Sequence, residues 1–143
     1  MFKETIRSVQ KRIANGEVRL RNLVAEHLST IEKRNSDINA VTHIEYESAY
    51  ERADHIEAKI KEGKAGPLAG AIIGIKEAIC EAGKPATCAS SMLRNFKSVY
   101  NATVIDRMYN DDALFLARHN MDEFAMGSTN EYSVHGTARN PHN

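Results

Sequence analysis

The sequence predicts an α/β fold: an N-terminal helical region over residues 1–64, then, over residues 65–143, the first strands and helices of a layered sheet. Two changes of texture predict it. Up to residue 60, apolar side chains recur every three or four positions, the period of a helical stripe. From Gly66 onward, short apolar runs are broken by Gly, Pro, Ser and Asn, the pattern of strands alternating with helices. The third observation is a shortage of strands. An α/β sheet needs several strands covered on both faces, and only two or three strand-like runs precede the loop-like TARNPHN, so the sheet is expected to be incomplete at the C-terminus.

Phe2, Ile6, Val9 and Ile13 mark a first amphipathic helix, with Asn15-Gly16 as its stop. Leu20, Leu23, Val24, Leu28 and Ile31 mark a second. A short apolar piece, Ala40 to Ile44, separates it from a third stripe, Ala49, Tyr50, Ala53, Ile56 and Ile60, which Gly63 ends. The Glu, Lys and Arg residues between these positions read as a solvated face with i,i+4 pairs. Ile72 to Ile79 is the best strand. Ala102 to Met108 reads as a helix capped by Asn101, Ala113 to Ala117 as a buried strand, and Asn120 to Met126 as a short helix ending at Gly127.

Composition excludes several classes. The 143 residues are enough for one domain and their 42% hydrophobic content for a core. Lys plus Arg and Asp plus Glu number 19 each, so no net field gathers nucleic acid or acidic lipid. No apolar run approaches the roughly 18–20 residues of a membrane span, and the first residues form no signal-like h-region, so a cytoplasmic location is expected. Cys80 and Cys88 lack metal-ligand spacing and read as reduced, buried thiols. The histidines at 27, 43, 55, 119, 135 and 142 show no ligand spacing, and no metal site is expected. Asp122-Glu123 reads as the acidic start of a short helix rather than an acid/base pair.

Lys76 is the exception in an apolar strand. Alternation puts it on one face with Ile72, Gly74 and Ala78, and Ile73, Ile75, Glu77 and Ile79 on the other. It either snorkels from the strand end or does chemistry. A lysine that accepts a proton near neutrality must lose about 4 kcal/mol of its preference for the charged form to burial or like charges. Such a lysine serves as a base for an activated nucleophile.

The surrounding segments bear on that choice. AGPLAGAIIGIKEAI is followed by ATCASSML, YNATV, NMDEFAMGS and GTARNP. In this order and spacing they resemble the amidase signature family, with Asn120 to Ser128 the most specific segment. GEVRLRNL and INAV fit the family's N-terminal helical region, so the resemblance covers nearly the whole chain. It implies the first strands and helices of a mixed sheet bearing a Ser-cisSer-Lys triad, with Lys76 as the catalytic lysine. In that mechanism the neutral lysine takes a proton from a bridging serine, which takes one from the serine attacking the amide carbon. Backbone N–H groups hold the oxyanion, and ammonia leaves before water releases the acid.

Within the family, the likeness is to the branch that hydrolyses glutamine and supplies ammonia for converting Glu-tRNA(Gln) to Gln-tRNA(Gln). The implied partners are the other amidotransferase subunits, with tRNA reached only through them and no membrane contact. No cofactor of its own is implied, ATP being used by a partner protein. Gly127 and Ser128 are implied as substrate-binding, since the Met-Gly-Ser loop lies beside the nucleophile in the family.

Both triad serines belong to a Gly-Ser-rich segment that follows Arg-Asn-Pro in the family and is not among these residues. The 143 residues alone are therefore expected not to hydrolyse glutamine. Ser90, Ser91, Ser128 and Ser133 lack a Gly-rich elbow and are not read as substitute nucleophiles. Glu77 stands where the family usually has Asp, Asp112 where glycine is usual, Arg118-His119 where Lys-Thr is common, and Thr137 where proline is usual. A buried aspartate entering a strand is costly, so an altered turn is expected at Asp112. The alternative is a truncated, noncatalytic fragment or interaction domain whose unpaired apolar helix faces make it oligomeric.

Overall fold

The computed structural model describes residues 4–142. Phe2, the first residue of the first apolar stripe, lies outside the described residues. Four helices and three strands form in the order α1 (Ile6–Ala14), α2 (Leu20–Ile38), β1 (Val41–Ile44), α3 (Tyr46–Lys61), β2 (Ile72–Lys76), α4 (Thr103–Asn110) and β3 (Leu114–His119). Single 3-10 turns occupy Ser91–Leu93 and Glu123–Ala125. The sheet order is β1-β3-β2, with β3 antiparallel to β1 and parallel to β2, so the sheet is mixed.

Local chemistry sets the helix ends. Thr5 caps α1 by accepting the Ser8 N–H at 3.2 Å, while the Ser8 hydroxyl accepts the Thr5 N–H at 2.9 Å, satisfying two donors that a helix start leaves open. Arg19, at the start of α2, offers no side-chain cap, and the Glu57 carboxylate of α3 takes its place by accepting the Leu20 N–H at 3.1 Å. Glu57 is itself held by Arg19 at 3.2 Å and Lys61 at 2.9 Å. The α2 helix runs two turns beyond its last sequence marker, Ile31, because nothing in the polar stretch after it breaks a helix before Asn39, which turns left-handed at φ 54°.

The predicted stripes face one core. Ile13, Leu20, Val24, Leu28, Ala53 and Ile56 pack against Leu114 and Leu116 of β3. On the other face of the sheet, Ile75 and Phe115 pack against Ile105 of α4. Each aliphatic side chain fully buried in this way contributes about 1.5–3 kcal/mol. The two clusters make β3 a strand covered on both faces, as its unbroken apolar run anticipates.

Four local expectations change. Ala40 to Ile44, read only as an apolar piece, supplies β1 at the sheet edge. The strand read as Ile72 to Ile79 ends at Lys76, because the Ile79 N–H turns back to the Lys76 carbonyl at 2.9 Å. Asn101 does not cap α4. Ala102 occupies the cap position, and the Asn101 side chain instead accepts the Ala82 N–H and donates to Asp106. The helix expected over Asn120 to Met126 shrinks to one 3-10 turn, because Phe124 and Ala125 are left-handed at φ 51° and 59°. Met121, Phe124 and Ala125 have helical spacing, but only Met121 is buried.

The altered turn at Asp112 is present. Its φ is 64°, and its carboxylate is 1% exposed yet fully engaged. Lys59 Nζ lies 2.6 Å from Oδ1, the Gly66 N–H 2.7 Å from Oδ2, and Arg52 3.5 Å from Oδ1. Burial works against the charge, but Lys59, Gly66 and Arg52 outweigh it and hold the carboxyl below the usual aspartate range. With a folded value below the unfolded one near ~3.9, this stabilisation is present above about pH 4 and lost as pH falls through the folded value. Asp112→Ala is therefore expected to cost about 1–3 kcal/mol at neutral pH, since it takes a charged acceptor from the half-buried Lys59 ammonium and Gly66 amide. Urea unfolding followed by circular dichroism across pH 2–7 should show that difference shrinking below about pH 4.

Candidate functional site

Lys76 is the last residue of β2, paired in register with His119, the last residue of β3. Its side chain is exposed and makes no hydrogen bond or ion pair among the described residues. Among the described residues this exposed strand-end position is the one the snorkelling alternative anticipates. The structure places Lys76 at the mouth of the sheet, where the ends of two parallel strands open toward the loops. Beside it the His119 ring covers the backbone of Gly74, and a Cβ at Gly74 would lie 2.1 Å from Nε2. The glycines around Lys76 thus include one that gives a ring close access to the strand.

Three loop segments lie near this strand end. The first is Thr87 to Ser90, with Cys88 and Ala89 left-handed at φ 50° and 53°. Backbone strain of this kind needs surrounding structure to maintain it. Phe124 donates its N–H to the Cys88 carbonyl at 3.0 Å and Val134 to the Ala89 carbonyl at 3.0 Å, so the segments after β3 clasp the first loop. Burial pushes the Cys88 thiol up, reinforced by Cys80 and Glu77 and opposed by Lys76. Cys80 and Cys88 are free and only half-buried, not the buried thiols expected.

The second and third segments, 127–132 and 133–139, are organised by side chains whose role the sequence did not reveal. Asp122 accepts the N–H groups of Asn130 at 2.8 Å and Tyr132 at 3.0 Å. The Tyr132 amide foremost, with those of Asn130, Glu131 and Thr129, holds its carboxyl below the usual range against the opposing effect of burial. Asp122 and Glu123 do stand at the start of a short 3-10 turn, but the Asp122 side chain caps none of its amides: it is the centre around which the following loop folds, and Glu123 accepts the Ser90 hydroxyl at 2.5 Å. Asn120 works beside it, donating to the carbonyls of Asn39 at 3.0 Å and Gly136 at 2.9 Å and accepting from Ser133 at 2.6 Å. The amides that Asp122 accepts lie eight and ten residues on, beyond the reach of a local Asx pattern, so the sequence offered only the weak signal of short polar side chains in a loop.

Gly127 and Ser128 are exposed at the start of this loop. No hydrogen bond or ion pair joins either to Lys76 among the described residues. Gly127 has a structural requirement of its own: a Cβ there would lie 2.5 Å from Cγ of Asp122. Two of the four serines not read as nucleophiles, Ser90 and Ser133, are engaged in the scaffold. Ser90 is 0% exposed and accepts the Met92 N–H at 3.3 Å, and Ser133 joins Asn120 to the His135 N–H at 3.1 Å. Among the described residues, no three His, Cys, Asp or Glu side chains gather to hold a metal ion, and no helix is long and apolar enough to cross a membrane.

The fold that carries this strand end is shared with known proteins. The family profile described as Amidase matches residues 22–143, and the chain belongs to the amidase family. The chain is 40% identical over 138 residues to the A subunit of the glutamyl-tRNA(Gln) amidotransferase of Salinibacter ruber, covering 96% of this chain and 27% of that relative's length. It also overlays with a TM-score of 0.89 and 31% identity on a structure described as a vestigial protein complex that reveals the origins of an s-triazine catabolic enzyme, covering 98% of this chain and 31% of that one. Against the corresponding amidotransferase protein from Thermotoga maritima the TM-score is 0.70 at 30% identity, covering 97% of this chain and 27% of that chain. The chain thus spans just over a quarter of the length of the two amidotransferase relatives named here.

Replacing Asp122 with alanine removes an ionised acceptor of two backbone bonds, and hydrogen bonds to charged groups contribute about 1.5–3 kcal/mol. Amide hydrogen exchange by NMR should show Asn130 and Tyr132 exchanging about 10- to 100-fold faster in Asp122→Ala, with the β3 amides unchanged. Gly127→Ala should reproduce the effect by displacing the same carboxylate.

Proposed function

We propose that these residues form the front part of a glutamine-hydrolysing amidase that supplies ammonia for converting Glu-tRNA(Gln) to Gln-tRNA(Gln), with Lys76 as its base. The observation that carries this reading is the 40% identity, over 96% of the chain, to the A subunit of a glutamyl-tRNA(Gln) amidotransferase. The position of Lys76 supports it, at a strand end beside rigidly held loops, where a scaffold offers a side chain to substrate. The lysine amine accepts the proton of a bridging serine, which accepts that of the attacking serine, both serines lying outside these 143 residues. Those outside residues, closing over Lys76, also supply the desolvation that favours its neutral form. Gly127 and Ser128 line the substrate side through the loop that Asp122 holds. The partners are the other amidotransferase subunits, which bind the tRNA and use the ATP.

A second reading, a noncatalytic interaction fragment, is favoured by one observation. Met92, Val99, Met126 and Tyr132 are 77%, 88%, 78% and 67% exposed, apolar surface that a chain acting alone would have to cover by association.

One experiment separates the two. The 143-residue chain is co-expressed with the part of the Salinibacter ruber relative that it does not match, and glutamine-dependent ammonia release is measured. The proposal expects release by the assembled pair, none by the 143 residues alone, and a loss of about 10²- to 10⁴-fold on Lys76→Ala. Release that persists within a few-fold in Lys76→Ala overturns the role of the lysine. An assembled pair that is silent with either residue supports the interaction fragment.

A further inference from the structure

Glu77 follows Lys76 directly, and the two side chains have opposite fates: Lys76 is exposed, whereas Glu77 is 2% exposed. The Glu77 N–H donates to the His119 carbonyl at 3.1 Å, extending the β2–β3 junction by one bond beyond the strand. Its Oε1 accepts the Thr87 hydroxyl at 2.6 Å, and its Oε2 lies 3.1 Å from Nε2 of His135. One carboxylate therefore ties the end of β2 to the strained loop after residue 86 and to the segment after residue 132. Apart from Glu77, these two segments are joined by the Val134-to-Ala89 backbone bond.

From this geometry we infer that Glu77 is the positioning residue that fixes both loops against the point where Lys76 leaves the sheet. The inference rests on the reading of Lys76 as the base. Three anchors on the residue after Lys76 stop the strand end from pivoting, so the amine leaves the sheet in one direction. The same anchors keep Cys88 and Ala89 in their left-handed conformation, which costs free energy that the surround must offset. Side-chain length matters. Aspartate, the residue the family resemblance leads one to expect here, would draw the carboxylate back by one C–C bond, about 1.5 Å. It would then not reach Thr87 and His135 together. Thr87 is 5% exposed, so losing its acceptor leaves a buried hydroxyl without a partner.

The test has a spectroscopic arm and a kinetic arm. In the 143-residue chain, the ring nitrogens of His135 and the backbone amides of Thr87 and Val134 are followed by ¹⁵N NMR in the wild type and in Glu77→Gln, with the exposed His55 as control. The inference expects the His135 and Thr87 signals to move and His55 to stay. Unmoved His135 and Thr87 signals overturn it. If Glu77→Gln does not fold, His135→Asn replaces it and the Thr87 and Glu77 amides are read instead. In the assembled pair that releases ammonia, Glu77→Gln should lower kcat about 10- to 100-fold with KM within about twofold. An unchanged kcat, or a loss confined to KM, overturns the positioning role. If the assembled wild type releases no ammonia, the base reading of Lys76 falls, and the NMR arm alone decides whether Glu77 holds the loops.

Discussion

The arrangement depends on β3. It is the central strand, buried on both faces, and the only one bonded to two neighbours among the described residues. Its register fixes the ends of the other two: Ile44 sits opposite Ala117 and Lys76 opposite His119. The ladders are irregular at one point on each side, with a shift between Ile73 and Gly74 against β2 and between Val41 and His43 against β1. Because side chains alternate along a strand, such a shift changes which residues face the core, and each bulge re-aims the strand beyond it. Against β2 the unpaired residue is Leu116 of β3, so the register that places Lys76 opposite His119 is set within β3.

The turn after Lys76 is fastened to β3 by a buried ionic cluster. Arg118, 1% exposed, reaches the Glu81 carboxylate at 2.7 Å and the Ile79 carbonyl at 3.0 Å, and the Tyr109 hydroxyl donates to Glu81 at 2.5 Å. Burial first, and then the Glu81 charge, push the Tyr109 hydroxyl well above its ordinary range, so it stays a donor. A buried pair of this kind is weak evidence of net stability, but losing one member leaves a charge without compensation. Here it joins β3, the turn after β2 and α4 into one unit. Lys76 stands exposed at the edge of that unit, beside the polar loops that Asp122, Asn120 and Glu77 organise. That division matches the usual one, in which function sits on loops held by a packed scaffold.

Periodicity disclosed what packing decides and little of what polar side chains decide. The helical stripes through Ile13, Leu28 and Ile56 and the buried run Ala113 to Ala117 are legible because each burial stripe must recur at the period of its element. The α/β class was legible in the change of texture at Gly66, whereas the family and the mixed character of the sheet were legible in the order of several short motifs. The helix read over Asn120 to Met126 is cut to one 3-10 turn, because Phe124 and Ala125 are left-handed in a segment whose continuation Asp122 shapes from the side. Asp112 and Glu77 first stand out as departures from a family pattern. In the structure each is a fully engaged buried carboxylate, one holding a left-handed turn and the other bridging two loops. No spacing rule reports a bond between residues 77 and 135, since it exists only once β2 and the final segment have been brought together. Likewise the exposure of Lys76 depends on what covers a strand end, which a strand pattern cannot state.

The central claim is that β3 and the junction at its end form the rigid base from which Lys76 projects, and that the loops around it are held by side chains. Native-state amide hydrogen exchange of the chain tests this directly. The account predicts that the amides of Leu114, Glu77 and Asn120, which donate to Ala71, His119 and Ala40, exchange as slowly as those of the β3 ladder, through global unfolding alone. The amides of Gly127 and Ser128 should exchange faster. If Glu77 and Asn120 exchange as quickly as Gly127 and Ser128, the strand ends open independently of the sheet, and the rigid junction is contradicted.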